Sequence, residues 1–234
     1  MARRADPRLV LELLGGVVYS TGIFGILLFL PAWTLHWWRG WVFVGVVLVA
    51  SSVTMFGVFA GRPELLEERY RSPLQKNQPL VDKVLTPLLV LGFLAFVAFI
   101  PLDVFRFHLL GGTGSVPAAL GLALFVGGWT LLALAMRDNP FAAPVVKAQH
   151  ERGQTVVRTG LYRFVRHPMY AGAIPLMLGI PLWLGSRAGL LVAIAPLVIL
   201  VLRVGVEESL LQRELPDYAD YARAVRWRLV PGIW

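Results

Sequence analysis

Within nine residues the chain sets Tyr162, Arg166, His167 and Tyr170, in the run Gly160-Leu161-Tyr162-Arg163-Phe164-Val165-Arg166-His167-Pro168-Met169-Tyr170-Ala171-Gly172. After two apolar runs come Arg203 and the pair Glu207-Glu208. Aromatic faces, cations, an imidazole and carboxylates suit a ligand that carries several kinds of polar group. Such side chains are expensive at the edge of a bilayer, so their presence there implies a use. Arg203 and Glu207 are four apart and share one face of a helix, where they can meet each other or a common ligand. Glu208 is turned roughly 100° away, so one of the two carboxylates enters the pocket of Arg203. The competing account of this spacing is a surface ion pair at a helix exit. For His167, which precedes a proline and is biased out of helical geometry, the competing account is an interfacial or capping residue. An aromatic belt explains the depth of the tyrosines but not the glycine-rich turn beside them.

Other chemistries find little support. The chain has no cysteine, which excludes disulfides, thiol catalysis and thiolate metal sites. His36, His108, His150 and His167 are scattered, and three of them lack carboxylates at ligand spacing, so no metal centre is expected. No Ser-His-Asp pattern is present, and Gly15-Gly16, Gly111-Gly112 and Gly127-Gly128 do not form a phosphate loop. Glycines inside helices instead let helices approach closely. The net charge of +8 is dispersed over several segments, which argues for topology and anionic headgroups rather than nucleic acid.

The elements that must position these residues are membrane helices. Of the 234 residues 57% are hydrophobic and 15% charged, and the mean hydropathy is positive, outside the range of soluble domains. Apolar windows near 9–30, 41–60, 84–102, 116–136, 168–186 and 188–206 match the roughly 20 residues that span a hydrocarbon core. The expected fold is therefore all-α and polytopic, with about six crossings. With the N-terminus inside, 19 of the 22 Lys and Arg residues fall on the cytoplasmic side, counting Arg3, Arg4 and Arg203. Both termini are thus expected in the cytoplasm. The first apolar run reads as an uncleaved helix, since no persuasive small-x-small cleavage site follows it.

Two cytoplasmic excursions interrupt the crossings. In the first, 61–83, Pro63 and the glutamates that follow suit a short interfacial helix, with Leu65, Leu66 and Tyr70 on the headgroup plane. The second, 137–166, opens with the chain-turning Arg-Asp-Asn-Pro and carries a β-branched run between Gly153 and Gly160 that favours extended backbone. Extended backbone offers amides and carbonyls to a polar ligand. The fifth crossing holds Pro168, Pro175 and Pro181, so a regular helix is not expected there. It should form a tight C-terminal hairpin with the sixth. Residues 1–136, with the 61–83 loop, and 137–234, with the binding loop, hairpin and tail, read as two parts of one membrane domain.

From Asn139 to Trp234 the sequence resembles the isoprenylcysteine carboxyl methyltransferase family, within the wider group that includes phospholipid N-methyltransferases. The matching features are Gln154-Thr155-Val156-Val157, Gly160-x-Tyr162, Arg166-His167-Pro168-x-Tyr170-x-Gly172, Arg203-x-x-x-Glu207-Glu208, Tyr218-x-x-Tyr221 and Arg228-Leu229-x-Pro231. Upstream, Pro63-Glu64-Leu65-Leu66-Glu67-Glu68-Arg69 and Asp82-Lys83 look like the cytoplasmic loop of bacterial members, which implies the inner membrane with the cofactor site facing the cytoplasm. The resemblance implies S-adenosylmethionine as cofactor, surrounded by Gln154, Thr155, Val156, Val157, Tyr162, His167, Pro168, Met169, Tyr170 and Glu207. It implies that Arg203 faces a lipophilic or prenylated methyl acceptor. Gln154 stands where many relatives have His, Leu161 where bacterial relatives often have Pro, and Lys147 replaces a common Gln, so that last contact is not carried over. A carboxylate acceptor needs no base, whereas an amine must lose a proton, for which His167 or Glu207 is the candidate. An N-methyltransferase of phospholipid amines, an NADPH-dependent sterol-type reductase and a non-catalytic membrane protein are the competing classes.

Overall fold

Backbone polar groups have no water to bond in a hydrocarbon core, so each apolar run must satisfy its own as helix. The computed structural model describes residues 6–75 and 77–234, and among these only helices and irregular segments occur. Arg3 and Arg4 of the topology argument lie outside the described residues, as does Lys76. The helices are α1 (Pro7–Ala32), α2 (Trp38–Gly57), α3 (Pro63–Tyr70), α4 (Leu80–Leu102), α5 (Ser115–Asp138), α6 (Pro168–Leu184), α7 (Arg187–Val192), α8 (Ile194–Glu214) and α9 (Tyr218–Ala224). The Asp6 side chain caps α1, with Pro7 in the first turn.

Five helical stretches are long and apolar enough to cross a membrane: Pro7–Ala32, Trp38–Gly61, Leu80–Phe107, Ser115–Asp138 and Arg187–Glu214. The protein is a polytopic membrane protein. The expected fifth crossing is present as α6, apolar but only 17 residues long. At 1.5 Å per residue it reaches about 25 Å, short of a typical hydrocarbon core. Against expectation it is one uninterrupted helix, although Pro175 and Pro181 lie inside it.

Packing against α5 explains why α6 holds its course. A Cβ on Gly128 would stand 2.5 Å from the Gly172 carbonyl oxygen, and one on Gly121 would stand 2.5 Å from Leu182 Cβ and 2.6 Å from the Trp183 amide. Gly172 and Gly179 return the contact, meeting the Gly128 and Gly121 carbonyl oxygens. Small residues seven apart on each helix thus bring the two backbones together, and this is the most extensive helix pair in the fold. The chain reverses at Gly185 and Ser186, and α7 runs on through Ala193 into α8, so the expected C-terminal hairpin is present. Its arms touch each other, but α6 packs more extensively on α5 and α8 on α4. Close glycine contact outweighs adjacency along the chain.

The main core gathers Phe24, Phe43, Phe96, Phe125, Ile180 and Leu200 from six helices. A second cluster corrects the reading of α3. Leu65 and Leu66 do not lie on a headgroup plane but are fully buried against Leu13, Phe59, Met136 and Ala142. Tyr70 is exposed, its hydroxyl donating to the Glu12 carbonyl at 3.1 Å. The α3 helix is short and its apolar pair is offered a protein surface, so it docks on the helix ends and closes over the site.

Candidate functional site

The segment between α5 and α6 is built by the end of α5. Asp138 Oδ2 accepts from the Leu161 amide at 3.0 Å, and its side chain occupies the space a Cβ on Gly160 would need. Gly160 also has a φ of +59°, so the turn admits glycine on two counts. The turn delivers Tyr162, whose hydroxyl accepts from Asn139 Nδ2 at 3.1 Å and whose carbonyl accepts from the Tyr221 hydroxyl at 2.7 Å. Burial pushes the Tyr162 phenol's pKa up, so it stays a neutral group.

From Asn139 to Gln154 the chain folds over the helix ends. Gln149 Nε2 donates to the Phe141 carbonyl at 2.7 Å, and the Gln149 amide donates to Gln154 Oε1 at 2.8 Å. One buried ion pair fastens the segment to α3, and a second, between α8 and α4, holds it through the Pro144 carbonyl and the Val146 amide. Lys147 Nζ meets Glu68 Oε2 at 2.7 Å. Arg203 Nε meets Asp82 Oδ1 at 2.8 Å, and its Nη2 donates to the Pro144 carbonyl at 3.1 Å. Asp82 Oδ2 accepts also from Gln78, Thr86 and the Val146 amide. A carboxylate fully enclosed in the first turn of α4 needs such a set of donors.

Beneath this cover lies a cavity of about 270 Å³, walled by Leu89, Leu132, Met177 and Leu200 on its apolar side and by Arg69, Gln149, Gln154, Tyr162, Tyr170, Arg203 and Glu207 on its polar side. A recess of about 50 Å³ shares Phe141, Gln154, Tyr162, Arg166, Glu207 and Leu211 with it and adds Thr155, Val156, Val157, Tyr218 and Tyr221. His167 and Met169 line the larger space. Nine of the ten positions named for the cofactor therefore border one or both spaces. Pro168 borders neither and serves as the buried first residue of α6.

The two glutamates part as the helix geometry requires. Glu207 borders both spaces, and the basic side-chain atom within 4 Å of it among the described residues is His167 Nδ1 at 3.7 Å. Glu208 faces away. It binds Arg166 Nε at 2.6 Å and Arg228 Nε at 2.7 Å, and His167 Nε2 stands 3.3 Å from it.

Two cations differ from the sequence reading. Arg166 is not free for a ligand: besides Glu208 it donates to the carbonyls of Val225 and Arg226, at 2.7 and 2.9 Å, and so anchors the tail. The Arg166 and His167 amides complete the anchor by donating to the Trp227 and Arg228 carbonyls. Arg203 does not pair with Glu207, because Asp82 takes its guanidinium; the remaining contact is with the Tyr170 ring at 5.9 Å.

Sequence reading missed Asp82, Asp138, Asn139 and Tyr218 as site builders. Asp82 had a signal, a lone carboxylate opening an apolar helix, but its partner lies 121 positions away. No cluster of His, Asp or Glu among the described residues could hold a metal ion.

The site can take a ligand with several polar parts. Among the described residues, no hydrogen bond uses the amides of Thr155, Val156 or Val157, and the buried Tyr218 hydroxyl has no partner. The residues that carry those donors line the small recess, beside aromatic rings and a carboxylate.

Residues 116–217 match the phospholipid methyltransferase family model. The match runs from the second residue of α5 to the residue before α9, and so takes in the cavity's α5, α6 and α8 walls and the whole α5–α6 segment. It reaches the broad family and does not single out the isoprenylcysteine carboxyl branch. No curated protein matches the chain.

Proposed function

We propose that this protein transfers a methyl group from S-adenosylmethionine to a lipophilic acceptor held in the membrane. The observation that carries the reading is the junction at Tyr162 and Glu207. On one side lies a recess of unused backbone amides and tyrosines, on the other an apolar chamber among membrane helices. A water-soluble donor and a greasy acceptor meet only where two such surfaces adjoin.

The bound cofactor supplies an electrophilic methyl on a cationic sulfur. The amides of Thr155, Val156 and Val157 and the Tyr218 hydroxyl suit its nucleoside, Tyr162 and Tyr170 offer faces for stacking, and Glu207 offers the negative charge that a cationic sulfur or ammonium requires. His167 Nε2 is engaged with Glu208, so His167 supports the pocket wall, and Glu207 is the group placed to take a proton from an amine acceptor. A carboxylate acceptor is the preferred substrate. Its attack on the sulfonium methyl turns opposite charges into neutral products, so alignment in a dry chamber suffices and no base is required.

The matched family's description favours a second acceptor class, phospholipid amines. Labelled methyl transferred into a native membrane-lipid extract separates the two. Base-labile label marks a methyl ester, base-stable label an N-methyl group, and no transfer at all sinks the proposal. Calorimetry in detergent with S-adenosylhomocysteine and NADPH sets it against the reductase class, which a preference for NADPH would support.

A further inference from the structure

Four cationic side chains of Lys and Arg border the larger cavity, and three are already neutralised by a carboxylate. Lys147 is held by Glu68, Arg166 by Glu208 and Arg203 by Asp82, at 2.7, 2.6 and 2.8 Å. Arg69, the fourth, lies within 4 Å of no carboxylate among the described residues. Its Nη2 donates to Met136 Sδ at 2.8 Å, its guanidinium lies over the Phe59 ring at 5.8 Å, and its Nε is buried with no partner. Burial lowers the pKa of Arg69 to about 10, which leaves it charged at neutral pH in a place that opposes the charge. A thioether sulfur and a phenyl ring are weak compensation for a buried guanidinium.

We infer that Arg69 is the residue that holds the anionic group of the methyl acceptor, a carboxylate or a phosphate, in the larger cavity. The inference rests on the methyl-transfer reading and moves to Arg69 the role the family resemblance gives to Arg203. Asp82 already cancels the Arg203 charge, so a second anion placed there would face a neutral pair. The acceptor, not the cofactor, needs an apolar chamber, although Gln154, Tyr162, His167, Met169, Tyr170 and Glu207 bring the cofactor to its edge. Arg69 borders the chamber walled by Leu89, Leu132, Met177 and Leu200 and not the recess formed by Thr155–Val157. An amphiphile whose chain fills that chamber brings its acidic head to the one cation still without a counter-charge. A guanidinium fork matches either oxyanion with two parallel hydrogen bonds.

The test compares matched acid and neutral amphiphiles on the full chain in detergent. The probes are N-acetyl-S-farnesylcysteine against its methyl ester, and phosphatidic acid against diacylglycerol. The wild type should bind at least one acid about tenfold or more tightly than its neutral partner. Arg69→Gln should erase that preference, Arg69→Lys should retain most of it, and S-adenosylhomocysteine affinity should not move. Met136→Glu, which places a carboxylate against the guanidinium without removing it, should erase the preference too and covers the case in which Arg69→Gln fails to fold. No acid preference in the wild type overturns the inference, as does a preference that survives Arg69→Gln or Met136→Glu. Weakened S-adenosylhomocysteine binding in Arg69→Gln also overturns it, by assigning Arg69 to the cofactor. Wild-type protein that ignores S-adenosylhomocysteine refutes methyl transfer instead, and the acid-to-neutral comparison still decides Arg69.

Discussion

Among the described residues Glu207 is the one carboxylate lining either space, and no Lys or Arg lies within 4 Å of it, which makes it the natural counter-charge for a bound cation. Glu207→Gln should weaken S-adenosylmethionine binding by about tenfold, the scale of one charge-assisted hydrogen bond. Unchanged affinity in a folded variant removes that role. Arg203 and Asp82 make a different prediction. Arg203→Ala strands a buried carboxylate and should cost about 3–5 kcal/mol of stability before it affects turnover. Pairing Arg203→Met with Asp82→Asn should cost clearly less than the sum of the two single changes in detergent unfolding, and additive losses would show that the pair is not coupled. How the site was read divides on the same line. Glu207, Tyr162 and the Gln154–Val157 run are close in sequence to features that mark them, and helix rotation separates Glu207 from Glu208. The neutralising partner of Arg203 arrives from α4, and spacing along one helix carries no information about a carboxylate on another.

At the scale of elements, the pairing of α5 with α6 decides where both ends of the binding segment sit. Gly128→Ala forces a Cβ to within 2.5 Å of the Gly172 carbonyl and should cost about 1–3 kcal/mol, with loss of cofactor affinity as the helices part. Gly127→Ala on the same turn meets nothing within 4 Å and should be neutral or stabilising by up to about 1 kcal/mol. Equal effects from the two would show that close packing is not what holds the pair. The helices themselves were legible because long apolar runs admit no other structure in lipid. Their partners were not. Pro175 and Pro181 argued for a broken α6, whereas Gly172 and Gly179 are the residues that let a neighbouring helix support it. Leu65 and Leu66 were read as meeting lipid because a short amphipathic helix looks the same whether a bilayer or a protein surface receives it.

For the whole molecule, the distribution of Lys and Arg predicts that the site opens to the cytoplasm. The absence of native cysteine makes the test direct, since any thiol introduced is the only one present. Ser72→Cys and Ser209→Cys should be protected from an impermeant maleimide in intact cells and labelled in inverted vesicles, with Thr34→Cys and Leu109→Cys behaving oppositely. The reverse pattern would place the cofactor on the wrong side of the membrane. The glycine-lined clasp of α5 and α6 carries one more consequence. The stretch from 139 to 167 is suspended between two closely packed rods, so it behaves as a cassette on a fixed mount. Exchanging that stretch between proteins that share the mount should carry over the Gln154–Val157 side of the pocket, while Glu207 and Tyr218 and the recipient's own first loop, with its residue at position 69, stay behind.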